Sequence, residues 1–205
     1  MIDYEVVIQA LWLILPAYIA NASALLLGGG TPIDFGRTWR DGRRILGDGK
    51  TWQGLFLGTL LGMTAGFGFS ALAKYASSID FPIHIDDFTG FPMMIPIIFS
   101  LCFGALIGDI IESFFKRRIG KNRGEDWIPF DQLDFILGVL LFSFIVSSIL
   151  HLTGLLSFNW FTRNFTIYHI CVLLILTPFL HLFANYVHRR ALVRKTTGTN
   201  YINTK

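Results

Sequence analysis

Uncharged, mainly apolar runs of about 20 residues recur along the chain and alternate with shorter polar segments. The runs cover residues 6–27, 54–73, 91–108, 135–156 and 166–187. A helix of about 20 residues is long enough to cross a hydrocarbon layer of about 30 Å. The pattern therefore predicts an all-α integral membrane protein with five transmembrane helices. Residues 1–205 would form one transmembrane domain, with two long loops on one side of the membrane.

Composition supports this prediction. Hydrophobic residues make up 53% of the chain and charged residues 15%, whereas soluble domains carry about 25% charged residues. These values exclude a water-soluble globular domain and an intrinsically disordered chain. Cys102 and Cys171 both lie inside apolar runs, which excludes a scaffold held by disulfide bonds.

Positive charge is distributed unevenly between the polar segments. All Lys and Arg residues except Lys74 and Arg163 lie in residues 28–53, in residues 110–134 or in the tail from residue 188. Cytoplasmic loops of membrane proteins carry an excess of such residues. We therefore expect a multi-pass protein of the cell membrane, with its N-terminus outside and its C-terminus and both long loops in the cytoplasm.

Glycines follow a helical stripe in the second and third runs. Gly54, Gly58, Gly62 and Gly66 are spaced by four residues, as are Gly104 and Gly108. Small residues at this spacing let helix backbones approach each other closely in lipid. The stripe predicts close helix packing or a homodimer interface.

Three carboxylates lie at the cytoplasmic ends of neighbouring predicted spans. Asp109 directly follows the third run, and Asp131 and Asp134 precede the fourth at helical spacing. Asp131 is also well placed to cap a helix N-terminus. Oxygen ligands of this kind suit hard divalent cations that also bind phosphate oxygens. We therefore predict a Mg²⁺ site formed by Asp109, Asp131 and Asp134.

Basic and hydroxyl side chains surround these acids. If the third helix continues past Asp109, then Glu112, Ser113 and Lys116 lie on the same helix face as Asp109. Lys116 would then also be placed to form an ion pair with Asp109 or Glu112. Arg117 and Arg118 follow directly. These cations either meet anionic lipid headgroups or hold the phosphates of a polyphosphate substrate.

The first long loop offers further phosphate ligands. It is rich in glycine and contains Asp34, Lys50 and Thr51. Glycines let backbone amides approach a phosphate, and Lys50 and Thr51 supply an ammonium group and a hydroxyl group. Residues 49–51 do not form a P-loop, because Arg44 stands where that motif requires glycine.

Two segments of the chain resemble a known family. Residues 108–124 read GDIIESFFKRRIGKNRG, and residues 129–135 read PFDQLDF. These segments resemble the CDP-archaeol synthases, the archaeal branch of the CTP-dependent phosphatidate cytidylyltransferase superfamily. Residues 31–34 and 46–52 are also similar to that family. Trp127 stands before the Asp131–Asp134 pair, where the bacterial branch has a His-Gly-Gly sequence.

The resemblance implies that a cytidylyl group is transferred from CTP to unsaturated archaetidic acid, an isoprenoid glycerol phosphate lipid, with Mg²⁺ as the cofactor. The expected partners are CTP, this lipid and the bilayer, and no nucleic acid. The predicted catalytic residues are Asp109, Asp131, Asp134 and Lys116; the predicted substrate-binding residues are Asp34, Lys50, Thr51, Ser113, Arg117 and Arg118. Alternatives are a membrane transporter or channel, or a CDP-alcohol phosphotransferase, although residues 41–44 match only the start of the phosphotransferase motif.

Overall fold

Helices dominate the described part of the chain, which in this computed structural model comprises residues 4–122, 125, 127 and 130–179. The helices are α1 (Tyr4–Leu27), α2 (Trp52–Ser78), α3 (Met94–Arg118), α4 (Phe130–Leu152), the short α5 (Trp160–Asn164) and α6 (Ile167–Phe179). The predicted all-α class is therefore confirmed.

Four of these helices, α1 to α4, are long and apolar enough to cross a membrane. They correspond to the first four predicted spans, and the chain is a membrane protein. The apolar helix α6 corresponds to the start of the fifth span. Residues 180–187 of that span lie outside the described residues.

The ends of α3 and α4 differ from the predicted spans. Helix α3 continues through Arg118 rather than ending at residue 108, and α4 begins at Phe130 rather than at residue 135. Charged residues end an apolar run, but they do not end the backbone hydrogen bonding of a helix. Asp109 and Asp134 therefore lie within helices, and the expected continuation of α3 past Asp109 is confirmed.

The glycine stripe on α2 faces α1 and α3 of the same chain. A Cβ atom at Gly58 would lie 2.8 Å from the carbonyl oxygen of Ala20. A Cβ atom at Gly62 would lie 2.8 Å from Sγ of Cys102. The stripe thus serves close packing within the chain, and homodimer formation stays a prediction that would need another surface.

Helices α3 and α4 make the closest backbone contact. A Cβ atom at Gly138 would lie 2.1 Å from the carbonyl oxygen of Gly104, and one at Gly108 would lie 2.3 Å from the carbonyl oxygen of Asp134. Any side chain at Gly108 or Gly138 would overlap the opposite backbone. These glycines therefore fix the distance between the two helices where both carry carboxylates.

Asp86 lies in the α2–α3 loop, at the end of the helices opposite to the carboxylates of α3 and α4, and connects several elements there. Its Oδ1 atom accepts hydrogen bonds from the Phe88 amide at 2.7 Å and from Nε1 of Trp160 at 2.9 Å. Its carbonyl oxygen accepts one from Nε1 of Trp12 at 2.9 Å. Burial raises the pKa of Asp86, although the bonds from Trp160 and Phe88 act in the opposite direction. These contacts join α1, the α2–α3 loop and α5.

We expect Gly138→Ala to lower the thermal unfolding midpoint of the protein in detergent. The added methyl group would force the α3 and α4 backbones apart, and overpacking of this kind costs about 1–3 kcal/mol. Gly68→Ala is the matched control, because a Cβ atom at Gly68 meets nothing within 4 Å. Tryptophan fluorescence measures the unfolding midpoint of each variant. Equal midpoints for the two variants would show that the α3–α4 crossing tolerates a methyl group.

Candidate active site

Three carboxylates meet where α3 crosses α4. Asp109 and Glu112 come from one face of α3, and Asp134 comes from the first turns of α4. One oxygen from each residue lies within 4.8 Å of an oxygen of the other two. The glycine crossing explains this arrangement, because the α3 backbone at Gly108 touches the α4 backbone at Asp134.

Two lysines contact the carboxylates around this crossing. Lys50, from the α1–α2 loop, forms an ion pair with Asp109. Lys116 lies 2.8 Å from both oxygens of Asp131 and 3.9 Å from Oε1 of Glu112. The site therefore alternates negative and positive groups, as a site for metal ions and phosphates requires.

The three clustered carboxylates fit a divalent cation. Oε1 of Glu112 is buried and has the Lys116 ion pair at 3.9 Å but no hydrogen-bond partner among the described residues, so it can still serve as a ligand. Asp109, Glu112 and Asp134 would hold such an ion through carboxylate oxygens, the ligands that a hard cation such as Mg²⁺ prefers.

Asp131, a predicted metal ligand, lies outside this cluster of three. Its carboxylate pairs with Lys116 and accepts a hydrogen bond from the Trp127 amide at 2.8 Å. Its role as a ligand stays a prediction. Glu112, which was not among the predicted ligands, belongs to the cluster. It follows Asp109 by about one helical turn, a spacing that places both carboxylates on one face of α3.

Thr51 has a structural contact that the sequence did not reveal. It is the N-cap of α2, and its hydroxyl oxygen accepts hydrogen bonds from the amides of Gly54 at 3.1 Å and Gly29 at 3.2 Å. The carbonyl oxygen of the preceding residue, Lys50, accepts a hydrogen bond from the Ile33 amide at 2.8 Å. These hydrogen bonds fix the backbone position from which the Lys50 side chain extends.

Asp34 is a buried residue of the first loop. Its carboxylate accepts hydrogen bonds from Arg44 and from the amides of Gly36, Leu46 and Gly47. Burial by itself would raise the pKa of Asp34, but these hydrogen bonds outweigh that effect and hold the pKa well below its ordinary value. Asp34 lines neither of the cavities described below.

Ser113 and Arg118 also make internal contacts. Oγ of the buried Ser113 donates to Glu112 over 3.4 Å. Arg118 forms an ion pair with Asp41 at 2.6 Å, and its guanidinium carbon lies 5.9 Å from the ring centre of Trp39. Arg118 therefore attaches the first loop to the end of α3.

An apolar cavity of about 670 Å³ opens beside the carboxylates. Lys50, Thr51 and Asp109 are among its polar lining residues. Its apolar lining includes Leu11, Leu15, Leu25, Leu55, Leu106 and Phe135. At about 30 Å³ for each non-hydrogen atom, as in liquid water, this volume corresponds to roughly 20 atoms.

A second cavity, of about 350 Å³, lies between the first loop and the end of α3. Its charged lining residues are Arg43, Arg44, Asp48, Arg117 and Lys121. Gly47 and Gly120 also line it: a Cβ atom at Gly47 would lie 3.3 Å from Nε of Arg117, and one at Gly120 would lie 3.0 Å from Nη1 of Arg43. The guanidinium groups thus occupy space that only glycine leaves open, and the excess of cations favours an anionic ligand.

Comparison with known proteins gives consistent results. Residues 3–196 match the family described as CarS-like, CDP-archaeol synthase. The chain is 46% identical over 175 residues to the CDP-archaeol synthase of Methanococcoides burtonii, with 84% of this chain and 93% of that protein covered. It is 42% identical over 177 residues to the CDP-archaeol synthase of Thermococcus kodakarensis, with 86% and 88% covered.

A solved structure is also similar. It is described as an intramembrane enzyme for archaeal membrane lipids biosynthesis. The TM-score is 0.67 and the sequence identity is 32%, with 88% of this chain and 94% of the solved chain covered.

We expect Glu112→Gln, Asp109→Asn and Asp134→Asn each to weaken binding of Mn²⁺, a paramagnetic substitute for Mg²⁺, by at least about tenfold, because each amide lacks the charge that a hard cation prefers. Asp131→Asn should weaken it less. Titration followed by electron paramagnetic resonance measures the affinity. Asp80→Asn, an exposed change in the α2–α3 loop, is the control. A Glu112→Gln variant with unchanged affinity would remove Glu112 from the ligand set.

Proposed function

The chain belongs to the family of CDP-archaeol synthases, and on that basis we propose that it transfers a cytidylyl group from CTP to unsaturated archaetidic acid, with release of pyrophosphate. The products would be CDP-archaeol and pyrophosphate. The proposal covers the CTP dependence, the lipid substrate and the residues that bind each of them.

One observation carries the proposal beyond family membership. Asp109 of the carboxylate cluster lines the apolar cavity, and a smaller basic cavity shares the adjacent loop turn with it. The turn at residues 47–50 connects the two, since Gly47 lines the basic cavity and Lys50 lines the apolar one. A reaction between a lipid phosphate and a polyphosphate requires this combination of surfaces.

The apolar cavity suits the lipid substrate. Its leucine and phenylalanine lining would accept an isoprenoid chain, while Lys50 would hold the lipid phosphate near Asp109. The cavity volume is of the order needed for one isoprenoid chain. We place one chain of the lipid in the cavity and the other in the surrounding bilayer.

The basic cavity suits the phosphates of CTP. Arg43, Arg44, Arg117 and Lys121 would neutralise the oxygens that a metal ion leaves uncovered. The pyrophosphate product would leave from this cavity.

The reaction then needs mainly positioning and charge compensation. An oxygen of the lipid phosphate attacks the α-phosphorus of CTP, and the bond from that phosphorus to the β-phosphate oxygen breaks. A phosphate monoester is largely dianionic at neutral pH, so no general base is required. Lys50 and Lys116 would orient the reacting phosphates. Mg²⁺ held by Asp109, Glu112 and Asp134, with Asp131 nearby, would supply charge stabilisation.

Purified protein in detergent tests the proposal directly. We expect pyrophosphate release from CTP only when a lipid phosphate and Mg²⁺ are both present, with the CDP-lipid detected by mass spectrometry. The corresponding lipid alcohol, which lacks the phosphate nucleophile, is the matched negative control. Pyrophosphate release without the lipid, or formation of a CDP-lipid from the alcohol, would contradict the proposed reaction.

We further propose that the active site faces the cytoplasm, because its two loops carry most of the Lys and Arg residues of the chain. In a background with Cys102 and Cys171 replaced by alanine, a cysteine at Ser78 or Asn159 should react with an impermeant thiol reagent in intact cells. A cysteine at Gly49 or Asn122 should react only after permeabilisation. Labelling at Gly49 in intact cells would place the site on the opposite side.

A further inference from the structure

We propose that Asp34 is a positioning residue, whose carboxylate holds residues 46–50 so that Lys50 and Arg117 face the two cavities. This inference rests on the proposed function, since it assigns Asp34 to the binding of both substrates. It also replaces the expectation that Asp34 contacts a substrate.

The surroundings of Asp34 leave no surface for a ligand. Its side chain has 0% exposure. Arg44 donates to it from Nη2 at 2.8 Å and from Nε at 3.2 Å. The amides of Gly36, Leu46 and Gly47 donate to it at 3.0, 2.9 and 3.0 Å. A carboxylate with this many donors already in place organises a loop rather than binding a substrate.

The first connection leads to Lys50. Ile33, which precedes Asp34, donates its amide to the carbonyl oxygen of Lys50 at 2.8 Å, and Pro32 forms an isolated β-bridge with Thr51. The Lys50 amide donates to the carbonyl oxygen of Gly47 at 3.4 Å. Both ends of the turn at residues 47–50 are thus fixed by Asp34 or by its neighbours.

The second connection leads to Arg117, which belongs to α3. The Leu46 amide binds Asp34, and the Leu46 carbonyl oxygen accepts a hydrogen bond from Nε of Arg117 at 3.2 Å. The same guanidinium lies against Gly47, whose φ angle of +99° suits glycine. Leu46 and Gly47 therefore contact both Asp34 and Arg117, so the position of Asp34 influences the position of the Arg117 guanidinium in the basic cavity.

The test compares Asp34→Asn with Asp41→Asn. Asp41 lies on the same loop, pairs with Arg118 and accepts a hydrogen bond from the Arg43 amide, but no hydrogen bond or ion pair joins its side chain to residues 46–50. Asparagine at position 34 would place an NH₂ group against N–H donors and so disrupt the hydrogen bonding of the loop. We expect kcat/KM to fall at least about tenfold for Asp34→Asn and to stay within about twofold for Asp41→Asn.

A double-mutant cycle with Arg117→Ala separates positioning from general destabilisation. If Asp34 acts partly through Arg117, Asp34→Asn should cost about threefold or less in the Arg117→Ala background, because one of its two targets is already absent. An equal fold loss in both backgrounds would overturn the proposal.

Hydrogen exchange provides a measurement that does not depend on activity. Peptides that cover residues 44–50 should exchange faster in Asp34→Asn, while peptides from the α3–α4 crossing should exchange at the wild-type rate. Unchanged exchange at residues 44–50, or a uniform increase over the described helices, would overturn the positioning role. If wild-type protein shows no cytidylyl transfer, the proposed function fails while this measurement still decides whether Asp34 holds the loop.

Discussion

The contact between the backbones of α3 and α4 is the constraint on which the site depends. Gly104, Gly108 and Gly138 bring the two helices so close that a methyl group would overlap the opposite chain. Carboxylates repel one another, so Asp109 and Asp134 would not approach without such a contact. The packing of small residues therefore holds together a group of charges that electrostatics alone would separate.

Lysines from two separate elements make this concentration of negative charge tolerable. Lys50 reaches Asp109 from the α1–α2 loop, and Lys116 reaches Asp131 from α3. Metal ions and phosphates would exchange with these contacts during the proposed reaction. The first loop would consequently belong to the proposed active site as much as the helices do, and its internal hydrogen bonds would then bear on function.

Much of this arrangement follows from the sequence. Apolar runs predicted the spans because burial in lipid requires them, and the spacing of Asp109, Ser113 and Lys116 predicted one helix face. The contacts of Asp34, Thr51 and Arg118 could not be predicted in the same way. Each depends on partners from other parts of the loop or the helices, and the sequence alone does not show which donors will surround a carboxylate or a hydroxyl group. The internal contacts of these residues are structural roles that the sequence did not show, while their predicted substrate contacts stay predictions.

The order of Lys50, Asp109 and Asp134 along the chain bears on how the protein assembles in the membrane. Synthesis proceeds from the N-terminus, so Lys50 is made before Asp109, and Asp134 after both. Asp109 can thus form its ion pair with Lys50 before α4 arrives with a second carboxylate. If contacts form in the order of synthesis, the repulsive contact forms last, against a partner whose charge is already compensated.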